Sequence, residues 1–190
     1  MQLHCPELHL AGVAHYDPLT LYAEYRHDLG PVSVALGLAY ERWSDFPGLL
    51  AQTVSCPPER PNCAGAPPPR LALEDTWAPH LAAVWALALS AHANAKLRAG
   101  YSYEPSPAPN QTDVRNVLDN SRHVLGLGYG VALSAPLVPV HGDFACQLSE
   151  LVSRTQQKNP GVASNNPGFP QVTSAGFVES CALTIGLELK

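Results

Sequence analysis

Charged side chains are scarce in this sequence. They make up 14% of its 190 residues, against roughly 25% in ordinary soluble domains. The net charge is −5 and no run of lysine and arginine occurs, so we expect no nucleic-acid partner. The longest apolar run, residues 81–89, is far shorter than the ~20 residues that a membrane helix requires. A role in a membrane would therefore depend on strands, which cross with ~9–11 residues each.

A secretory signal is also missing from the first residues. The start, MQLHCPELHL, has no basic segment followed by an apolar stretch and a small-residue cleavage site. Export would then require that the sequence be incomplete or processed. Motifs for chemistry are equally scarce, because the cysteines form no C-x-x-C pair and the eight histidines show no metal-ligand spacing. We expect neither an enzyme, nor a metal site, nor a cofactor.

Prolines and alternating apolar residues are what the sequence does have. Nineteen prolines divide it into pieces of hairpin length, which disfavours a helical bundle. Residues 19–27 and 32–41 alternate apolar and polar side chains about a tight turn, which predicts an antiparallel hairpin. Residues 80–92 also fit a helix, since alanine and leucine are good helix formers. The short link that follows them favours a strand.

The clearest pattern lies between residues 95 and 133. Leucines, alanines and tyrosines alternate with small or polar residues in two arms, and the second arm carries Gly126, Gly128 and Gly130. A long loop containing Pro105, Pro107 and Pro109 separates the arms. Each arm therefore predicts a strand with one apolar face and one smooth face of small residues.

The loops are sorted by length, which favours a transmembrane barrel over a soluble sandwich. Short links at 92–94 and 134–140 alternate with long loops at 105–120 and 156–172. Outer-membrane barrels place short turns on one side and long loops on the other. We predict an all-β fold of about eight antiparallel strands, a portion of a transmembrane β-barrel, with residues 1–190 forming a single barrel segment.

Cysteines allow two pairings. Cys56 and Cys63 bracket a proline-rich loop and can close it as a disulfide, with unpaired thiols as the alternative. Cys146 and Cys181 fall in the last two predicted strands and can face each other, which leaves Cys5 over. A loop disulfide would favour an oxidising compartment.

Several stretches together resemble one family, the FadL/TodX-type outer-membrane transporters of long-chain fatty acids and other hydrophobic compounds. They run in the family's order over most of residues 30–135. The matching stretches are LRAGY (97–101) with Pro105 and Pro107, LDNSRH (118–123) running into LGLGY (125–129), YERWSDF (40–46) and DTW (75–77).

This resemblance implies a monomeric barrel in the bacterial outer membrane, which admits apolar molecules from outside and releases them sideways into the bilayer. Its partners would be a long-chain fatty acid or another hydrophobic ligand, and outer-membrane lipid or lipopolysaccharide. The sequence has no counterpart of the family's signal peptide or N-terminal hatch, so it resembles the C-terminal part of a longer barrel. An isolated piece would have two open edges, which lipid does not tolerate. It would have to close on itself, pair with another chain, or be non-functional alone.

Four charged residues in the central arms and their loop are the candidate site. Arg98, Glu104, Asp119 and Arg122 lie on or beside the predicted inward faces. They would form a polar network along the substrate path, or alternatively an ordinary structural ion-pair cluster. Two other functions compete with transport: a soluble or secreted β-sandwich or lipocalin-like binding module, and a structural or adhesive barrel.

Overall fold

The computed structural model describes residues 7–12, 16–48, 50–56, 71–134 and 139–187. Within these residues the chain is all-β, apart from one turn of 3₁₀ helix at Trp43–Asp45. None of them forms a helix of the length and apolar character needed to cross a bilayer. The strands are β1 (Glu7–Gly12), β2 (Leu19–Leu29), β3 (Val32–Arg42), β4 (Leu50–Ser55), β5 (Thr76–Ser90), β6 (Ala93–Glu104), β7 (Arg122–Leu133), β8 (Val140–Gln157) and β9 (Gln171–Leu187).

Seven of these strands form one antiparallel sheet in the order β2-β3-β5-β6-β7-β8-β9. The strands β1 and β4 pair separately with each other. At one end of the main sheet the connections are short, as at Gly30-Pro31 between β2 and β3. At the other end lie the long segments 105–121 and 158–170. The predicted all-β fold and the sorting of loops by length are confirmed, and the sheet is open, since β2 and β9 do not pair among the described residues.

The ambiguous segment 80–92 is a strand, because β5 pairs on both sides. Its Leu81 lies opposite Leu36 of β3 and Tyr101 of β6, and these tertiary partners override the helix propensity of alanine and leucine. Strand β5 also contains Pro79, which has no amide hydrogen to donate. The ladder to β6 begins one residue later, at His80, so the proline interrupts no bond on that side.

The sheet has an apolar face whose large side chains are exposed. Phe177 and Leu183 are 73% and 69% exposed, whereas the buried apolar residues among those described are three alanines. The accessible surface of 13532 Å² far exceeds the ~8,800 Å² of a compact monomer of this mass. No described residue covers the apolar face. Its exposed members include Leu19, Leu21, Tyr25, Leu36, Leu38, Trp77, Leu81, Trp85, Leu97, Tyr101, Leu125, Leu127, Tyr129, Phe144, Leu148, Phe177, Leu183, Ile185 and Leu187.

A β-bulge in β8 changes which residues face which side. Leu151 pairs with Gly176, but Arg154 pairs with Ser174, so β8 contains one more residue than β9 between these pairs. An extra residue reverses the alternation of faces. Even-numbered residues of β8 beyond the bulge therefore lie on the polar face, where the odd-numbered residues lie before it.

A disulfide joins the last two strands. Cys146 and Cys181 lie directly opposite in the register, 4.1 Å apart at Cα, and form a disulfide on the apolar face. The predicted facing of these two residues is confirmed. Cys56 is also disulfide-bonded, but Cys63 lies outside the described residues, so the Cys56–Cys63 pairing stays a prediction.

We expect Cys146→Ser to lower the free energy of unfolding. The bond closes a loop with a sequence separation of 35, for which chain entropy gives a stabilisation of about 3–4 kcal/mol. The measurement is urea unfolding of the chain refolded into lipid vesicles. Cys181→Ser is the matched variant and should show the same loss. Equal stability of wild type and both variants would contradict a stabilising role for this bond.

Candidate functional site

Two concavities lie along the polar face of the main sheet. The first, which we name the loop-end cavity, has a volume of about 470 Å³, within the range of small-molecule sites. It lies where the strands meet the long segments. Its lining residues are Glu41, Trp43, Phe46, Leu71, Leu73, Ala78, Glu104, Pro105, Ser106, Pro107, Ala108, Val117, Asp119, Asn120 and Arg122.

Three of the four charged residues singled out from the sequence line this cavity. Arg122 at the start of β7 donates from Nε to Glu104 Oε2 at 2.5 Å, directly across from the end of β6. Asp119 accepts a 2.7 Å hydrogen bond at Oδ2 from Ser106 Oγ. Each of the three charged groups therefore has a polar partner, and most of the other lining residues are apolar.

Arg98, the fourth residue, lies elsewhere. It is opposite Gly128 in the register, six residues along β7 from Arg122, which is ~20 Å at the rise of a strand. Its Nη1 donates to Asp143 Oδ1 at 2.6 Å. The four residues are thus two separate groups, and the partner of Arg98 is on β8.

The Arg98–Asp143 ion pair spans β7 because β7 has a glycine beneath it. Arg98 lies on β6 and Asp143 on β8, and Asp143 is opposite Gly130. A Cβ built on Gly130 would collide with Asp143 Oδ1 and lie 3.3 Å from Arg98 Nη1. The absence of a side chain at Gly130 therefore lets two charged residues on non-adjacent strands meet.

The second concavity, which we name the mid-sheet groove, has a volume of about 530 Å³ and lies between the loop-end cavity and this ion pair. Most side chains along it are small, as expected from the glycines of β7, and Val84, Arg98 and Gln147 are the larger ones on the same face. Adding a Cβ to Gly126 would meet nothing within 4 Å. The main small residues of the groove are Ala82, Gly100, Gly126, Gly128, Ala145, Ser180 and Ala182.

A second polar cluster crosses the sheet over another glycine. Tyr22 Oη lies 2.7 Å from Glu24 Oε2 and 2.5 Å from His80 Nε2, and the tyrosine and histidine rings stack at 5.0 Å. The His80 ring occupies the space that a Cβ on Gly37 would need. Glu24, Gly37 and His80 share one register row across β2, β3 and β5, and Tyr22 lies two residues from Glu24 on the same face of β2.

Charged groups at the loop end are held by local hydrogen bonds. The hydroxyl of Tyr40, at 2.6 Å, and the backbone N–H of Ser44, at 2.8 Å, lower the pKa of the Asp75 carboxyl. The Arg115 guanidinium likewise lowers the pKa of Asp113 in the segment 105–121. Both aspartates therefore stay ionised at neutral pH.

The segment 105–121 has a polar interior of its own. Gln111 is fully buried and clasps Val117, accepting from its N–H at 2.7 Å and donating to its carbonyl at 2.8 Å. The buried Lys158 donates from Nζ to the carbonyl oxygens of Gln111, at 3.2 Å, and Arg115. Asn120 donates to the carbonyls of Val152 and Ser174. This segment is therefore a folded wall of the cavity.

Sequence reasoning missed several of these residues. The sequence pattern gave no partner for Arg98, and it gave no role to Asp143, Lys158, Gln111 or Arg154. The only sequence signal for them was the number of amide and charged side chains in the long loops, and such a composition does not specify which residues contact each other. Among the described residues, no three of the His, Cys, Asp and Glu side chains gather as metal ligands. The arrangement can enclose an apolar molecule, with ionic groups paired at its boundary.

We expect Gly130→Val to destabilise the chain by about 1–3 kcal/mol, as overpacking does, because the new side chain displaces the Arg98–Asp143 pair. Gly126→Val is the matched control on the same strand and face, and should stay within about 0.5 kcal/mol of wild type. In an Asp143→Ala background the cost of Gly130→Val should largely disappear. Unfolding in urea measures all four variants, and an equal cost at both glycines would contradict the proposed contact.

Comparison with solved structures shows which fold this is. A crystal structure of a Pseudomonas aeruginosa FadL homologue superposes with a TM-score of 0.57 at 15% sequence identity. The match covers 88% of this chain and 34% of that chain, so the present chain spans about a third of that protein's length. No family model matches the sequence, and no curated protein does. The chain therefore shares the fold of one stretch of a FadL homologue.

Proposed function

We propose that this chain is part of a bacterial outer-membrane β-barrel through which a long-chain fatty acid or a similar hydrophobic molecule passes by diffusion. The observation that carries the proposal is the apolar face of the main sheet. Its large side chains are exposed on all seven strands of that sheet. Water makes such a surface costly, at about 25 cal/mol for each Å² of apolar area, whereas the hydrocarbon of a bilayer makes it favourable.

The polar face would then line the path. A hydrophobic molecule enters the loop-end cavity, where Trp43, Phe46 and Leu73 give it apolar contacts. It next meets the mid-sheet groove, whose alanines and glycines offer few places for a tail to lodge. Pairing between Glu104 and Arg122 neutralises the charges at the boundary, so an uncharged tail passes them without displacing a free ion.

Passage of a molecule through a barrel requires a path of suitable width and polarity, and no covalent bond is made or broken. No nucleophile, general base or metal enters the proposed mechanism, so the chain acts as a conduit and not as an enzyme. Diffusion down a concentration gradient supplies the driving force. Lipid or lipopolysaccharide surrounds the barrel, which is a monomer when closed. Similarity to the FadL homologue supports this proposal at the level of the fold.

We expect a tryptophan on the apolar face to contact lipid tails. Two single-tryptophan variants test this: one retains Trp85, which is 47% exposed on that face, and the other retains Trp43, which lines the cavity and donates to Glu41 at 2.8 Å. In vesicles of lipids with brominated acyl chains, emission of Trp85 should be strongly quenched and that of Trp43 weakly. A water-soluble chain with unquenched Trp85 would instead support a lipocalin-like module, and would overturn the membrane proposal.

We also expect Ala78→Phe to weaken binding of a long-chain fatty acid at least about tenfold, since a filled cavity excludes the ligand's tail. Ala78 lines the loop-end cavity from β5. Ala23→Phe is the matched control, because it adds the same side chain to the exposed apolar face, on β2 opposite Leu38. Retention of radiolabelled oleate by the chain in amphipol measures both variants. Unchanged retention by Ala78→Phe would place the ligand outside this cavity.

A further inference from the structure

The segment 105–121 forms a wall of the loop-end cavity, and one side chain from β8 holds much of it. Arg154 donates from Nη1 to Ser106 Oγ at 3.1 Å and to the carbonyl of Asp119 at 2.8 Å. It donates from Nη2 to the carbonyl of Ala108 at 2.6 Å and to Asn110 Oδ1 at 3.2 Å. A single guanidinium thus joins both arms of the segment.

The acceptors of Arg154 are themselves residues of the cavity. Ser106, Ala108 and Asp119 all line the loop-end cavity, whereas Arg154 does not. It lies behind them, beside a smaller hollow of about 370 Å³ that shares Ser106 and Ala108 with the cavity. The arginine therefore acts on the cavity through the residues that it holds.

The bulge in β8 is what aims Arg154 at this segment. Before the bulge, the polar face carries odd-numbered residues such as Asp143 and Leu151. If β8 alternated regularly over the three steps from Leu151 to Arg154, the arginine would lie on the apolar face. With the bulge, Arg154 and Lys158 both contact the segment 105–121.

The arrangement of hydrogen-bond donors explains why residue 154 is an arginine. The planar guanidinium presents donors along two edges, so it bonds to groups on both sides at once. A lysine ammonium concentrates its three donors on one atom. It cannot reach Asp119 and Ala108 with the same separation of donors.

We propose that Arg154 is a positioning residue of the ligand site: it fixes the segment 105–121 as the wall of the loop-end cavity and thereby sets how tightly a hydrophobic ligand is held. This inference rests on the proposed function, because it concerns the same cavity. It adds a residue that touches no ligand and a structural device, the bulge, that places it.

Two measurements on the chain in amphipol test the proposal. Trypsin cleavage after Arg115, within the segment, reports how well the wall is held. Retention of radiolabelled oleate reports ligand binding in the loop-end cavity. We expect Arg154→Ala to speed the cleavage and weaken oleate binding, each by about tenfold, since support from behind fixes a binding site. Arg154→Lys should restore neither fully. Arg26→Ala, which removes an exposed arginine of β2 paired with Glu24, is the control and should change neither.

The outcomes separate this inference from the proposed function. If wild type binds no oleate, the proposed function fails, while the cleavage measurement still tests the wall. If Arg154→Ala speeds cleavage but binds oleate as wild type does, the positioning role is overturned and the proposed function stands. Full rescue by Arg154→Lys would also overturn it, because a positive charge alone would then suffice.

Discussion

Alternation along each strand is the constraint on which the rest of this structure depends. Because successive side chains point to opposite faces, the sheet separates into one face of large apolar residues and one face of small and polar residues. Every feature of the site follows from that separation. The cavity, the groove and the ion pairs all lie on the polar face, and the apolar face is left exposed.

Glycines on the polar face determine where polar side chains can cross from one strand to another. At Gly130 and Gly37 the missing side chain leaves room above the backbone, and a long polar group from a neighbouring strand fills it. Charged residues two strands apart can then pair without leaving the surface of the sheet. Elsewhere, as at Gly126, the room stays open. The same residue type thus makes both the bridges and the smooth wall.

Much of the fold could be predicted from the sequence, because alternation and loop length are local properties. The strands around Gly126 and Gly128 and the facing of Cys146 and Cys181 follow from them. The site could be predicted only in part. Glu104, Asp119 and Arg122 are close in the sequence and line one cavity, but the pairing of Arg98 with Asp143 depends on a register that no local pattern contains.

The long segments were the least predictable part. Their prolines indicate only that strands end there. Their order comes from buried amides, from Lys158 and from Arg154 of β8. The face on which Arg154 lies depends on one extra residue in that strand. A single insertion of this kind has no sequence signature, although it decides which face an arginine occupies. Prediction from residue alternation therefore fails where a bulge exchanges the faces of odd- and even-numbered residues.

The strand order has one more consequence, which is arithmetic. Seven antiparallel strands are an odd number, so β2 and β9 run in the same direction. Two copies placed side by side around a common axis would meet as parallel neighbours at both seams. A cylinder that contains this sheet and is antiparallel throughout must add an odd number of strands between those edges, which gives an even total, as in bacterial barrels.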